Sequence, residues 1–169
     1  MFNFRIFIHR NPLDTLVSAY YFYRNRDIPF HDDELKVRDA LNDIDFYVKY
    51  KIHDWINFYN ISIPKSNIIV NYSRLQRECS IELRRIISLL GWIIDDDLVE
   101  RSINISSFDN IKSMSSESIQ EYGNGPSDGT FHGQFLRSGK DGQYVDELNQ
   151  ATINYVRDKF PRFDDIYII

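Results

Sequence analysis

The sequence holds a single cysteine, Cys79, so no internal disulfide can form, and without a second thiol or a histidine nearby that residue builds no metal cage. So few thiols suit a reducing compartment, and a cytoplasmic location is expected. No stretch reaches the ~18 apolar residues of a membrane span, and the short Phe/Ile segment after Met1 is broken by Arg5 and His9, unlike a signal-peptide core. An excess of basic charge is missing too. Twenty Lys and Arg face 25 Asp and Glu, a formal net charge of −5, which excludes a domain that coats nucleic acid or an anionic membrane over a broad face but leaves room for a local basic pocket. The Gly-x-x-x-x-Gly-Lys-Ser/Thr phosphate loop occurs nowhere. Apolar side chains are plentiful: 43% of the 169 residues are hydrophobic and 15% aromatic. That suffices for one compact domain over residues 1–169 and excludes disordered or fibrous chains.

The pattern along the chain predicts alternating strands and helices. Phe2 to Ile8 is aromatic and β-branched and stops at His9-Arg10-Asn11-Pro12, a strand entering a turn. Asn11 is a good N-cap, Pro12 suits the first helical position, Asp14 opposes the positive helix end, and Leu13, Leu16, Val17 and Tyr20 form one apolar face. Residues 28–39, with Pro29 and the charged run His31-Asp32-Asp33-Glu34, read as a surface loop. Leu41, Ile44, Val48, Ile52, Trp55 and Tyr59 then recur at helical spacing. Ile68-Ile69-Val70-Asn71-Tyr72 suits a buried parallel strand. A further helix is expected from about Ile81 to Leu90, with Leu83, Ile86, Ile87 and Leu90 inward and Gly91 as its stop. Asp95-Asp96-Asp97 caps a short helix through Leu98, Val99 and Ile103, and residues 113–133 read as a Ser/Gly/Asn/Pro loop. The last helix begins near Asn149 and uses Ile153, Val156 and Phe160. The fold class is α/β, a short parallel sheet flanked by helices. Because a buried parallel sheet needs neighbours and cover on both faces, two strands look like part of a larger, incomplete three-layer architecture.

Two segments can carry chemistry. In Arg10-Asn11-Pro12-Leu13-Asp14-Thr15-Leu16-Val17-Ser18 a strand turns into a capped helix, which suits an anion through backbone N–H groups, the guanidinium of Arg10 and the hydroxyl of Ser18. The plainer alternative is a surface ion pair at Arg10 and a serine merely tolerated in a helix. In Phe135-Leu136-Arg137-Ser138-Gly139-Lys140-Asp141-Gly142-Gln143-Tyr144, glycines three apart between basic residues let the backbone bend closely around an anion. A solvated basic turn is its alternative. His31-Asp32-Asp33-Glu34 is a poor metal site because consecutive residues rarely converge on one ion.

Together the segments resemble the 3′-phosphate site of the sulfotransferases that use 3′-phosphoadenosine 5′-phosphosulfate. The family's Arg-Asn-Pro-x-Asp-x-x-x-Ser stands complete as Arg10 to Ser18. Of its Arg-Lys-Gly-x-x-Gly-Asp-Trp, Arg137, Gly139 and Gly142 match, while Ser138 replaces Lys, Gln143 replaces Asp and Tyr144 replaces Trp. The order between them is also similar: a helix with Trp55, a strand ending at Tyr72, a helix closing at Leu89-Leu90-Gly91, then Ser106-Ser107-Phe108. The resemblance implies a P-loop-like fold in which Arg10 and Ser18, joined by Arg137, Ser138 and Gly139, hold the nucleotide 3′-phosphate. Tyr72, Ser106 and Phe108 then contact the adenine. Core packing is the alternative for Tyr72 and Phe108. The resemblance further implies a phosphosulfate donor, no metal, and sulfuryl transfer to a hydroxyl or amine. It also implies an earlier strand, a Gly/Lys loop for the 5′-phosphosulfate and a basic histidine, and this sequence starts after all three.

No catalytic residue is assigned. His9 is expected to pack at a strand end, His31 to be solvated, His53 to sit on a helix beside Trp55, and His132 to lie in a Gly-rich stretch. A different class, a non-catalytic interaction domain on the same scaffold, predicts self-association through surface that missing strands would cover. A nucleotide-kinase relative is disfavoured by the absent phosphate loop. The acceptor is not encoded in any motif of this chain.

Overall fold

The computed structural model describes residues 4–24, 35–113 and 140–163, which form two compact units: residues 1–78 with 141–169, and residues 79–140. In the first unit β1 (Ile6–His9) and β2 (Ile68–Asn71) pair in parallel, Ile6 opposite Ile68 and His9 opposite Asn71. Asn67 lengthens the ladder, its side-chain oxygen accepting from the Arg5 N–H while its own N–H donates to the Arg5 carbonyl. Strand period two shows in β1: Phe7 and His9 are buried while Ile6 and Ile8 stay exposed.

Helix α1 (Pro12–Arg24) forms as its sequence dictates. Pro12 occupies the first position, the Asn11 side chain accepts from the Leu13 N–H at 2.8 Å, and Leu13, Leu16, Val17 and Tyr20 are all buried. Asp43 caps α3 (Ile44–Ser62) by accepting from the Phe46 N–H at 2.8 Å, and Tyr47, Val48, Ile52 and Tyr59 face the core. Asn149 caps α9 (Gln150–Lys159), which adds Ile153 and Val156, with Phe160 just past its end. The Phe160 ring meets those of Trp55 and Tyr59 edge-on, each at 5.2 Å. Two long-range bonds fasten this C-terminal stretch: the Asn149 N–H donates to Asp45, and the Tyr21 hydroxyl donates to Glu147 of α8 (Tyr144–Glu147) at 2.6 Å.

Two expectations shift here. Residues 35–39, read as the end of a loop, belong to α2 (Leu35–Ala40), because Val37 and Ala40 are buried in the core. Tyr72 starts α4 (Tyr72–Arg77) rather than ending β2, because Asn71 caps that helix by accepting from the Arg74 N–H. Residues 25–34, including His31, lie outside the described residues.

The second unit is helical throughout its described part: α5 (Cys79–Leu89), α6 (Asp96–Ile105) and α7 (Phe108–Ser113). Gly91, at φ 72°, takes the left-handed conformation that ends α5, and Asp95 caps α6 by accepting from the Leu98 N–H at 2.9 Å. Arg84 bridges α5 and α6, pairing with Asp96 at 2.9 Å and Glu100 at 3.1 Å. Leu83, Ile86, Ile87 and Leu90, expected inward, are only half-buried. The fully buried side chain of α5 is Glu82, paired with Arg85 at 2.7 Å. Residues 114–139, which contain most of the expected loop and His132, lie outside the described residues. Among the described residues the architecture is α/β, mostly helical with a short two-stranded parallel sheet, as the sequence predicts. No described helix is long and apolar enough to cross a membrane.

Candidate functional site

Ligands of open α/β sheets bind at the carboxyl ends of the strands, and Arg10 follows β1 directly as Tyr72 follows β2. The Arg10 guanidinium lies over the Tyr72 ring, 4.7 Å from its centroid, a cation–π contact. The Tyr72 hydroxyl accepts from the Gln76 side chain at 3.0 Å. Both residues line a cavity of about 470 Å³, together with Thr15 and Ser18 of α1 and an aromatic wall that includes Phe22, Trp55 and Phe58. That volume lies in the range of small-molecule sites, and the lining has their character, apolar with a few convergent polar groups. Ser18 is exposed on α1.

The start of α1 differs from a bare helix N-terminus. Pro12 has no N–H, the Leu13 N–H is taken by the Asn11 side chain, and the Thr15 N–H by the Asn11 carbonyl. Its donors are therefore largely spent within the turn, so an anion here meets the side chains of Arg10 and Ser18 more than the helix backbone.

The second segment comes to the same place through its far end. The Arg10 Nε is 3.7 Å from an Asp141 carboxylate oxygen. Asp14, fully buried, accepts from the Gly142 N–H at 2.8 Å and the Tyr144 N–H at 3.3 Å. Gly142 sits at φ 76°, a conformation other residues rarely adopt, and this turn is what aims its N–H at Asp14. Burial pushes the Asp14 carboxyl above the usual aspartate range, against the pull of the Gly142 N–H, the Arg10 charge and the Tyr144 N–H. The sequence reading gave Asp14 only a helix-end charge. Its bonds to residues 128 and 130 positions away carry no local signal that spacing could reveal.

His9 is packed as expected, 2% exposed, its ring 6.3 Å from those of both Phe7 and Tyr59. Both ring nitrogens lack a hydrogen-bond partner among the described residues, and burial holds the imidazole pKa below its ordinary value. His53 is exposed on α3, its Nε2 3.4 Å from the Tyr155 hydroxyl.

Of the expected site residues, Arg10, Ser18 and Tyr72 line one cavity. Arg137, Ser138 and Gly139 lie outside the described residues, as does the Phe108 side chain. Ser106, in the second unit, ends α6, its hydroxyl donating to the Ser102 carbonyl at 2.7 Å. Among the described residues no group of three or more His, Cys, Asp or Glu side chains is arranged to hold a metal ion.

The chain matches the sulfotransferase domain over residues 5–162, nearly its whole length. It belongs to the sulfotransferase family. No curated protein matches the chain. Among solved structures, this sulfotransferase-family chain is similar in fold to mouse sulfotransferase SULT7A1, whose crystal structure is a complex with PAP. The TM-score is 0.60 and the identity 19%, over 94% of this chain and 57% of that one. The sulfotransferase domain thus spans little more than half the length of that neighbour.

Proposed function

We propose that this chain binds the 3′-phosphate end of 3′-phosphoadenosine 5′-phosphosulfate and of its product 3′-phosphoadenosine 5′-phosphate. One observation carries the reading: residues 10–14 and 141–144, at opposite ends of the sequence, meet through the Arg10–Asp141 pair and the two bonds of Asp14. The family match over residues 5–162, continuous across both units, and the PAP complex of a similar fold support it. Arg10 supplies the fixed positive charge and Ser18 a hydroxyl donor. Arg137, Ser138 and Gly139 complete the phosphate clamp, and Tyr72, Ser106 and Phe108 contact the adenine. Tyr72 also meets the guanidinium of Arg10 in a cation–π contact.

When bound, the donor supplies a sulfuryl group for in-line transfer to a hydroxyl or amine, with no covalent enzyme intermediate. Transfer requires charge stabilisation at the moving group and a base beside the acceptor. Neither a phosphosulfate loop nor a base is assigned in this sequence, so turnover depends on residues supplied from outside it. We place the protein in the cytoplasm, without a nucleic-acid or membrane partner and without a metal. Calorimetric titration with 3′-phosphoadenosine 5′-phosphate is expected to give a binding isotherm that Arg10→Ala abolishes; equal heats from the two proteins refute the assignment.

A second reading rests on a different observation. Ile6 and Ile8 of β1 are 44% and 54% exposed, and Phe4 and Phe58 are exposed as well. Such apolar surface beside a sheet edge favours a non-catalytic domain that associates with itself. Size-exclusion chromatography with light scattering separates the readings: a monomer that binds nucleotide favours the first, and a dimer that does not bind it the second.

A further inference from the structure

Among the described residues two carboxylates stand near the Arg10 guanidinium, where an incoming anion would compete with them: Asp141 at 3.7 Å, and the buried Asp14, on whose carboxyl the Arg10 charge acts. The two carboxylates are held differently. Asp14 is bonded to two backbone N–H groups and is fully buried, so it belongs to the scaffold. Asp141 stands 3.7 Å from the Arg10 Nε, beyond the 2.7–2.9 Å of a charge-assisted hydrogen bond, so the pair is held by Coulomb attraction alone in that direction. Its side chain is 29% exposed. The backbone places it there, because the next residue is Gly142, fixed at φ 76° with its N–H on Asp14.

We infer that Asp141 is an affinity-setting residue of the anion site, an internal counter-ion that a phosphate must displace from Arg10. The inference rests on the functional reading above and names the ligand group more narrowly: a terminal phosphomonoester dianion. A dianion attracts the guanidinium more strongly than a carboxylate monoanion does, and the exposed Asp141 side chain is free to turn towards water once displaced. The site therefore exchanges one anion for another. Arg10 also has a contact that does not involve Asp141, the Tyr72 ring 4.7 Å from its guanidinium carbon.

The test uses calorimetry on the full chain with 3′-phosphoadenosine 5′-phosphate and, as a control lacking the 3′-phosphate, adenosine 5′-monophosphate. Asp141→Asn keeps the shape and removes the charge. It is expected to tighten binding of the bisphosphate by about fivefold, the scale of one partly exposed ion pair, with no change for the monophosphate and no gain in an Arg10→Ala background. Unchanged or weaker bisphosphate binding by Asp141→Asn, with wild-type binding intact and still dependent on Arg10, overturns the counter-ion role and leaves the functional reading standing. An equal gain for both nucleotides, or a gain that persists without Arg10, overturns it too. Absence of bisphosphate binding by the wild type overturns both.

Discussion

Helices α1 and α5 carry apolar stripes of the same period, yet they end in different environments. Leu13, Leu16, Val17 and Tyr20 of α1 are buried, whereas Leu83, Ile86 and Ile87 of α5 are half-exposed and Ile81 and Leu89 exposed. Helical spacing tells which side of a helix faces its neighbours; the depth of cover is set by how many neighbours there are. Helix α1 packs on α3 in a core that also takes side chains from α2, α8 and α9, while α5 packs on α6 within its unit. The polar contacts differ in the same sense. Asp14 on α1 reaches across 128 residues of sequence to Gly142, and Arg84 on α5 reaches only to the next helix.

The largest effect expected from this contrast is in core truncations. Leu16→Ala on α1 should cost about 2–5 kcal/mol, because a closely surrounded cavity cannot collapse, and Ile86→Ala on α5 about 1 kcal/mol. Urea midpoints at constant m-value measure both, and equal costs would erase the distinction between the two helices. Next is Asp14→Ala, which leaves the Gly142 and Tyr144 N–H groups without their acceptor. A loss of about 1–3 kcal/mol is expected, with faster hydrogen exchange at those two amides; unchanged exchange would mean that the C-terminal turn holds without Asp14.

The smallest effect concerns His9. Burial lowers its folded pKa below the unfolded value near 6.5, so the unfolded chain binds the proton more readily. Stability from the neutral ring is fully present above about pH 6.5 and declines as pH falls from there towards the folded pKa. His9→Leu removes that dependence and, by removing two unpartnered polar atoms, leaves stability at pH 7.5 within about 1 kcal/mol of wild type. A parallel decline of both proteins between pH 7 and pH 5 would assign the effect to other groups.

Much of the first unit was legible because its signals are local. The Asn11 and Asn149 caps, the α3 stripe and the buried run at Ile68 to Val70 each depend on residues a few positions apart. The helix at residues 35–40 was hidden behind Pro29 and an acidic run, since only the burial of Val37 and Ala40 in the tertiary core stabilises so short a segment. In the candidate site, Arg10, Ser18 and Tyr72 were readable from motif and order. Asp14 and Asp141 were not, because what matters about them is contact between the two ends of the chain, and no periodicity encodes that.

The discontinuity of the first unit has a temporal side. Its clasp, Gly142 on Asp14, joins residues 128 positions apart, with the whole second unit synthesised in between. Closing so long a loop is entropically costly, and contacts of such separation form late. On the ribosome the nascent polypeptide must therefore carry an open anion turn until the second unit and the turn after it have emerged. A chain cut before residue 142 lacks both backbone donors of Asp14, the Gly142 and Tyr144 N–H groups.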